Sequence, residues 1–153
     1  MRSLPILTAP VLATAQCNGC GKCCKASPGL FVPEDFGNDL SRMREAIAAG
    51  RVAIDWWEGE RVYYLRPATK AMQGEVFDPS WGGECNYLTA TGCELTYEAR
   101  PRQCRGLVPG EPGVRNCIEP GAEKYDFVAA WSGWADRVLE MGGAIERERE
   151  GCA

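Results

Sequence analysis

The chain has 153 residues, 45% of them hydrophobic, with nine cysteines, no histidine and a net charge of −4. That length suits a single domain with an ordinary core, so the cysteines are not needed as staples and ask for a chemical reason. The missing histidine excludes mixed Cys/His zinc fingers, His-based triads and His-ligated catalytic zinc, and the acidic balance argues against nucleic acid as a partner.

From the N-terminus, Leu4 to Ala15 is mildly apolar, and Ala13-Thr14-Ala15 has the look of a signal-peptidase site. Only Arg2 precedes it as a basic residue, and Pro5 and Pro10 interrupt the run, so the expectation is a loosely held lead-in over 1–16. No stretch approaches the ~18–20 apolar residues of a membrane span. A reducing cytoplasmic setting is expected, because thiolates survive there to bind metal.

Cys17, Cys20, Cys23 and Cys24 then fall within eight residues as C-x2-C-x2-C-C, with Gly19 and Gly21 between them. Thiolates ligate zinc and iron–sulfur iron, and a C-x2-C turn aims two sulfurs at one centre. A disulfide knot is the bland alternative, but adjacent cysteines such as Cys23 and Cys24 rarely pair with each other.

Ser27-Pro28-Gly29 reads as a turn, and Pro33-Glu34-Asp35 as a helix start. A firmer helix is predicted over 39–49, with Leu40, Met43 and Ile47 on one face and Gly50 at its C-terminal end. Arg51–Trp57 and Arg61–Arg66 read as two strands joined by a turn at Glu58-Gly59-Glu60. Trp56 and Trp57 cannot face the same side of a strand, so one is expected in the core and the other on a groove or interface. Residues 67–84 look irregular.

Cys85 to Leu88 and Cys93 to Leu95 read as a hairpin that sets Cys85 across from Cys93 or nearly so. Tyr97 to Pro101 reads as a short helical turn, with Cys104 close behind and Cys117 beyond a Pro/Gly-rich loop. One long C-terminal helix is predicted over 122–149. Its stripe is Phe127, Trp131, Trp134, Val138, Met141 and Ile145, read as core, and Gly142-Gly143 is a candidate kink. Cys152 reads as a thiol outside the site. The expected fold is a single α+β domain over 1–153: a Cys-rich loop region (15–117), a short antiparallel sheet and the long helix.

The spacing of Cys17, Cys20, Cys23 and Cys24, followed by Cys85-x7-Cys93-Glu94-Leu95-Thr96-Tyr97-Glu98-Ala99-Arg100-Pro101-x2-Cys104-Arg105, resembles the CxxCxxCC (YkgJ-like) cysteine-cluster family of zinc- or iron-chelating proteins. Thr96 adds one residue to the family pattern, and the likeness spans about residues 15–117. It implies metal binding and no settled reaction. Setting Cys152 aside, the candidate ligands are Cys17, Cys20, Cys23, Cys24, Cys85, Cys93, Cys104 and Cys117. Arg100 and Arg105 would offset the charge of a thiolate centre from just outside the ligands. Tyr97 would donate a hydrogen bond there, and Glu98 would hold one of the arginines. The plainer reading of these residues is a structural ion pair.

Zinc and an iron–sulfur cluster both remain open as the cofactor. Cys17-x2-Cys20-x2-Cys23 has cluster spacing, yet Arg105 rather than proline follows Cys104, and eight thiolates also divide into two four-sulfur zinc sites. The leading expectation is a structural or metal-handling protein with a possible protein partner. The alternative is a metal or iron–sulfur enzyme using the same cysteines, with Glu34, Asp35, Glu84, Glu94 and Glu98 as candidate bases and the substrate unknown.

Overall fold

Two six-residue runs of β-branched and aromatic residues make the central hairpin of the computed structural model, which describes residues 22–80, 82–107 and 121–151. Strand β1 (Val52–Trp57) pairs antiparallel with β2 (Val62–Pro67), Ile54 opposite Leu65 and Trp56 opposite Tyr63. Residues 58–61 connect them, with Arg61 in the left-handed region at φ 53°. The outer edge of β1 is covered by its own chain. Ile54 N–H donates to the Val76 carbonyl at 2.8 Å and Asp78 N–H to the Ile54 carbonyl at 2.9 Å, so Ile54 and Phe77 form a parallel bridge.

Helix α1 (Lys22–Ala26) comes first, followed by a 3-10 turn at Pro33–Phe36. Helix α2 (Leu40–Ala48) starts where Asp39 accepts the Ser41 N–H at 2.9 Å, and it ends at Gly50, whose φ of 91° suits glycine. Met43 and Ile47 on its predicted face are fully buried. Ser27 to Gly29 runs as irregular chain rather than a turn.

The expected long C-terminal helix is present, but its first part is divided. Helix α3 (Arg102–Gly106) precedes it, then α4 (Lys124–Ala129), a 3-10 turn at Ser132–Trp134 and α5 (Ala135–Gly151). The break has a local cause. Ser132 Oγ donates to the Ala129 carbonyl at 2.8 Å, and the fully buried Trp131 turns its Nε1–H onto the Phe31 carbonyl at 2.8 Å. The predicted stripe is nonetheless core: Phe127, Trp131, Val138, Met141 and Ile145 are buried, and Trp134 packs at the margin.

Gly142 does not interrupt α5. A Cβ there would lie 2.6 Å from both Ile54 Cδ1 and Phe77 Cζ, so the glycine lets the helix backbone approach the sheet. Each fully buried Leu, Ile or Met in this core contributes about 1.5–3 kcal/mol.

One polar group is built into the same body. Arg66 is 2% exposed; its Nε donates to Asp55 Oδ2 at 3.0 Å and its Nη1 to Asp78 Oδ2 at 3.1 Å. Burial alone would raise the Asp78 carboxyl. Hydrogen bonds from Arg66, Ser80 and Thr69 outweigh it and hold the group well below its ordinary value.

A second sheet is only two residues per strand: β3 (Leu88–Thr89) and β4 (Gly92–Cys93). The architecture is α+β. Among the described residues, no helix is long and apolar enough to cross a membrane.

Candidate metal centre

Cys24 lies on α1, and the chain around Cys85 is laid against it backbone to backbone. Gly83 N–H donates to the Ala26 carbonyl at 2.9 Å and Cys85 N–H to the Cys24 carbonyl at 2.8 Å. On its other side Cys85 bridges Thr69. The hairpin forms, but shorter than expected and with Cys93 opposite Leu88 rather than Cys85. Residues 85–88 make a turn instead, with Leu88 N–H on the Cys85 carbonyl at 3.0 Å. The Asn86 side chain holds that turn by donating to the carbonyls of Arg51 (2.8 Å) and Ala68 (2.6 Å).

Cys104 arrives on α3. The helix is docked by Gln103, whose N–H donates to the Leu30 carbonyl at 3.1 Å and whose Oε1 accepts the Leu30 N–H at 2.8 Å. A Cβ at Gly29 would collide with Cys104 Sγ, so a bare backbone lies against that sulfur.

Cys24, Cys85, Cys93 and Cys104 therefore line one cavity of about 170 Å³, walled also by Pro67 and Leu95. Among the described residues, no three Cys, Asp or Glu side chains are drawn close enough to hold one ion together. Cys17, Cys20 and Cys117 lie outside the described residues, as does the Cys23 side chain; so do the predicted lead-in over 1–16 and Cys152.

Burial pushes the Cys85 thiol up to about 11, and nearby Cys93 adds to the rise; Arg66 and Arg51 pull the other way. A thiophilic ion entering here would displace that proton and replace the lost hydration. The donor set, four cysteine side chains around one partly closed space with no imidazole in the chain, fits zinc or iron–sulfur iron.

The residues expected around the ligands act through the backbone. Tyr97 Oη donates to the Arg105 carbonyl at 2.9 Å, Arg105 Nη1 to the Arg100 carbonyl at 2.6 Å, and Arg100 Nε to the Leu95 carbonyl at 3.2 Å. Together they brace the turns on either side of Cys104. The carboxylate that holds Arg105 is Asp35, at 2.8 Å, rather than Glu98. The same Asp35 accepts the backbone N–H groups of Val32 (3.0 Å) and Arg102 (2.9 Å), so it clamps the Pro33 turn to α3.

Arg51 was not legible as a site residue. Its Nε donates to Asn86 Oδ1 at 2.7 Å and its Nη2 to the Asn86 carbonyl at 2.9 Å, while Nη1 and Nη2 grip the two Glu94 oxygens at 2.7 and 2.8 Å. Its guanidinium also lies 4.2 Å from the Tyr87 ring centre. One side chain thus ties the stretch after Cys85 to the residue after Cys93. The candidate base Glu84 is paired with Lys70 at 2.9 Å, which lowers its carboxyl, and Arg51 lowers that of Glu94 in the same way.

No curated protein and no solved structure matches the chain. A family model does match, over residues 16–111, and its description is "putative zinc- or iron-chelating domain". With that stretch holding both cysteine motifs and all four cysteines of the cavity, the chain belongs to the CxxCxxCC family.

Proposed function

We propose that this protein binds zinc or an iron–sulfur cluster through its cysteine thiolates, in a role that is structural or serves metal handling and protein interaction. The observation that carries the reading is the convergence of Cys24, Cys85, Cys93 and Cys104, from three separate stretches of chain, on one cavity. Cys17, Cys20, Cys23 and Cys117 complete the candidate ligand set. A bound ion would neutralise clustered thiolates and fasten α1, the β3–β4 turn and α3 to one point. The enzyme reading, with redox or Lewis-acid chemistry on the same cysteines, draws less support. Three of its candidate bases, Asp35, Glu84 and Glu94, are each held by a cation.

The test is metal and labile-sulfide content, with an absorption spectrum, on protein purified without oxygen. Up to about two zinc ions per chain with no visible absorption supports the structural reading. Iron with matching sulfide and broad visible absorption turns the assignment to electron transfer or cluster chemistry. Absence of metal, with the thiols oxidised in pairs, overturns the proposal.

A further inference from the structure

Two half-buried indoles, Trp56 and Trp57, end β1 at the hairpin tip, and both line a second cavity of about 460 Å³. It opens between that tip, the start of α4 and the Pro79–Ser80 segment, and it shares no lining residue with the cysteine cavity. Its size falls in the range of small-molecule sites. The frame is braced on both sides. Trp57 and Tyr125 meet ring edge to face at 5.5 Å, and the Tyr125 hydroxyl donates to Glu60 across the tip. Trp56 packs on Tyr63, with ring centres 6.2 Å apart.

An indole-lined cavity accepts either a neutral ring or a cation. The charges around it decide between them. At the rim, Glu58 and Lys124 are both exposed, opposite in sign and screened by water, so neither selects a ligand. The selection lies in the wall. Asp55, 8% exposed, belongs to a buried group in which Arg66 pairs with Asp55 at 3.0 Å and with Asp78 at 3.1 Å. The remaining Arg66 donors turn to the carbonyls of Pro67, Asp78 and Ser80. Two carboxylates against one guanidinium leave a formal surplus of one negative charge, and of the three side chains Asp55 alone lines the cavity.

The Asp55 carboxylate is fixed in place. Its Oδ2 accepts the Tyr64 hydroxyl (3.1 Å) and Arg66 Nε (3.0 Å), and its Oδ1 accepts the Trp56 N–H (2.7 Å). A carboxylate oxygen accepts about two hydrogen bonds, so among the described residues Oδ1 keeps one acceptor position open. A buried carboxylate that shares its counter-ion favours an incoming cation, and the indoles favour the same charge.

We propose that this cavity binds a small protonated amine, its ammonium donating to Asp55 and its apolar body against Trp56 and Trp57. The inference stands apart from the metal centre, and holds whichever ion that centre takes.

The test uses the full-length protein in about 0.15 M salt, which screens attraction to exposed carboxylates. Three naphthalene probes differ in charge: 2-naphthylmethylammonium, 2-naphthylmethanol and 2-naphthoate. Calorimetric titration reads affinity. The indole N–H resonances of Trp56 and Trp57, assigned through Trp56→Leu and Trp57→Phe, read location. The amine is expected to bind at least ~10-fold more tightly than the alcohol or the carboxylate, and to shift both resonances. Asp55→Asn keeps an oxygen for Arg66 and removes the surplus charge, so the amine's advantage over the alcohol should fall to within about 2-fold. Trp56→Leu should weaken the amine by at least ~3-fold more than the alcohol, with an unchanged circular dichroism spectrum. If Asp55→Asn does not fold, Trp56→Leu decides. Equal binding of amine and alcohol, tighter binding of the carboxylate, no saturable binding of the amine, or binding that leaves both resonances in place overturns the proposal. So does an amine-to-alcohol ratio unmoved by Trp56→Leu, or by Asp55→Asn in folded protein.

Discussion

Around β1 and β2, position is set by packing: Ile54, Leu65, Met43, Ile47, Trp131 and Val138 have no exposed surface at all. Around the cysteines, position is set by hydrogen bonds. The elements there are two to five residues long, and Arg51, Asn86, Gln103, Asp35 and Arg105 tie them to the body and to one another. The packed region therefore responds to changes in volume and the cysteine region to the loss of single polar side chains. Only the second should lose metal while keeping its fold.

Arg66 belongs to both regions, and its removal should have the largest effect. It neutralises Asp55 and the fully buried Asp78, and Asp78 in turn accepts from Thr69, the backbone partner of Cys85. Arg66→Leu leaves buried carboxylates without their cation and is expected to cost about 3–5 kcal/mol in urea unfolding, with loss of metal retention. The same group shapes the acid limb. The Asp78 carboxyl is held below its unfolded value, so its contribution is complete above about pH 4 and fades as pH falls. Asp78→Asn should flatten the decline of stability with acid; an unchanged slope would assign that decline to other groups.

Gly142→Ala probes packing alone. The added methyl meets Ile54 and Phe77, and overpacking of this kind costs about 1–3 kcal/mol against a helix-propensity gain of up to about 1 kcal/mol. A lower melting temperature with undiminished metal content in the folded protein is expected.

Arg51→Gln probes the other side of the comparison. It keeps some hydrogen bonding but cannot span Asn86 and Glu94 together. Metal retention in a chelator competition should fall by about 10–100-fold, as for residues that orient ligands, while the core and the melting transition of the metal-free protein change little. Arg51→Lys should fail to restore it, because the fork geometry is what is used. Glu84→Gln should have the smallest effect: its ion pair with Lys70 is exposed, and both stability and metal content should stay at wild-type values.

Much of the packed region was legible in the sequence, because periodicity reports burial directly. Helix α2, the hairpin and the apolar stripe from Phe127 to Ile145 follow from three-and-four and alternating spacing. The cysteine region was legible as a list of residues but not as an arrangement. Asp35 reads as an acid at a helix start, yet its carboxylate holds residues 67 and 70 positions away. Arg51 reads as a charge before a strand. The register that sets Cys93 opposite Leu88 depends on Asn86 reaching Arg51 and Ala68, contacts that no local pattern encodes. Gly142 reads as a weak point in a helix, because its close neighbours come from a strand and a loop some 65 to 90 positions earlier.

The indole of Trp131 reaches back to the carbonyl of Phe31, across a separation of 100 residues. The family match stops at residue 111, well short of that tryptophan. A fragment cut to the match would keep both cysteine motifs and lose the cover over the hairpin, leaving Ile54, Leu65 and Phe77 facing water. The stretch of chain that a motif search detects and the stretch that must be expressed to obtain a folded molecule are different lengths, and the second includes α4 and α5.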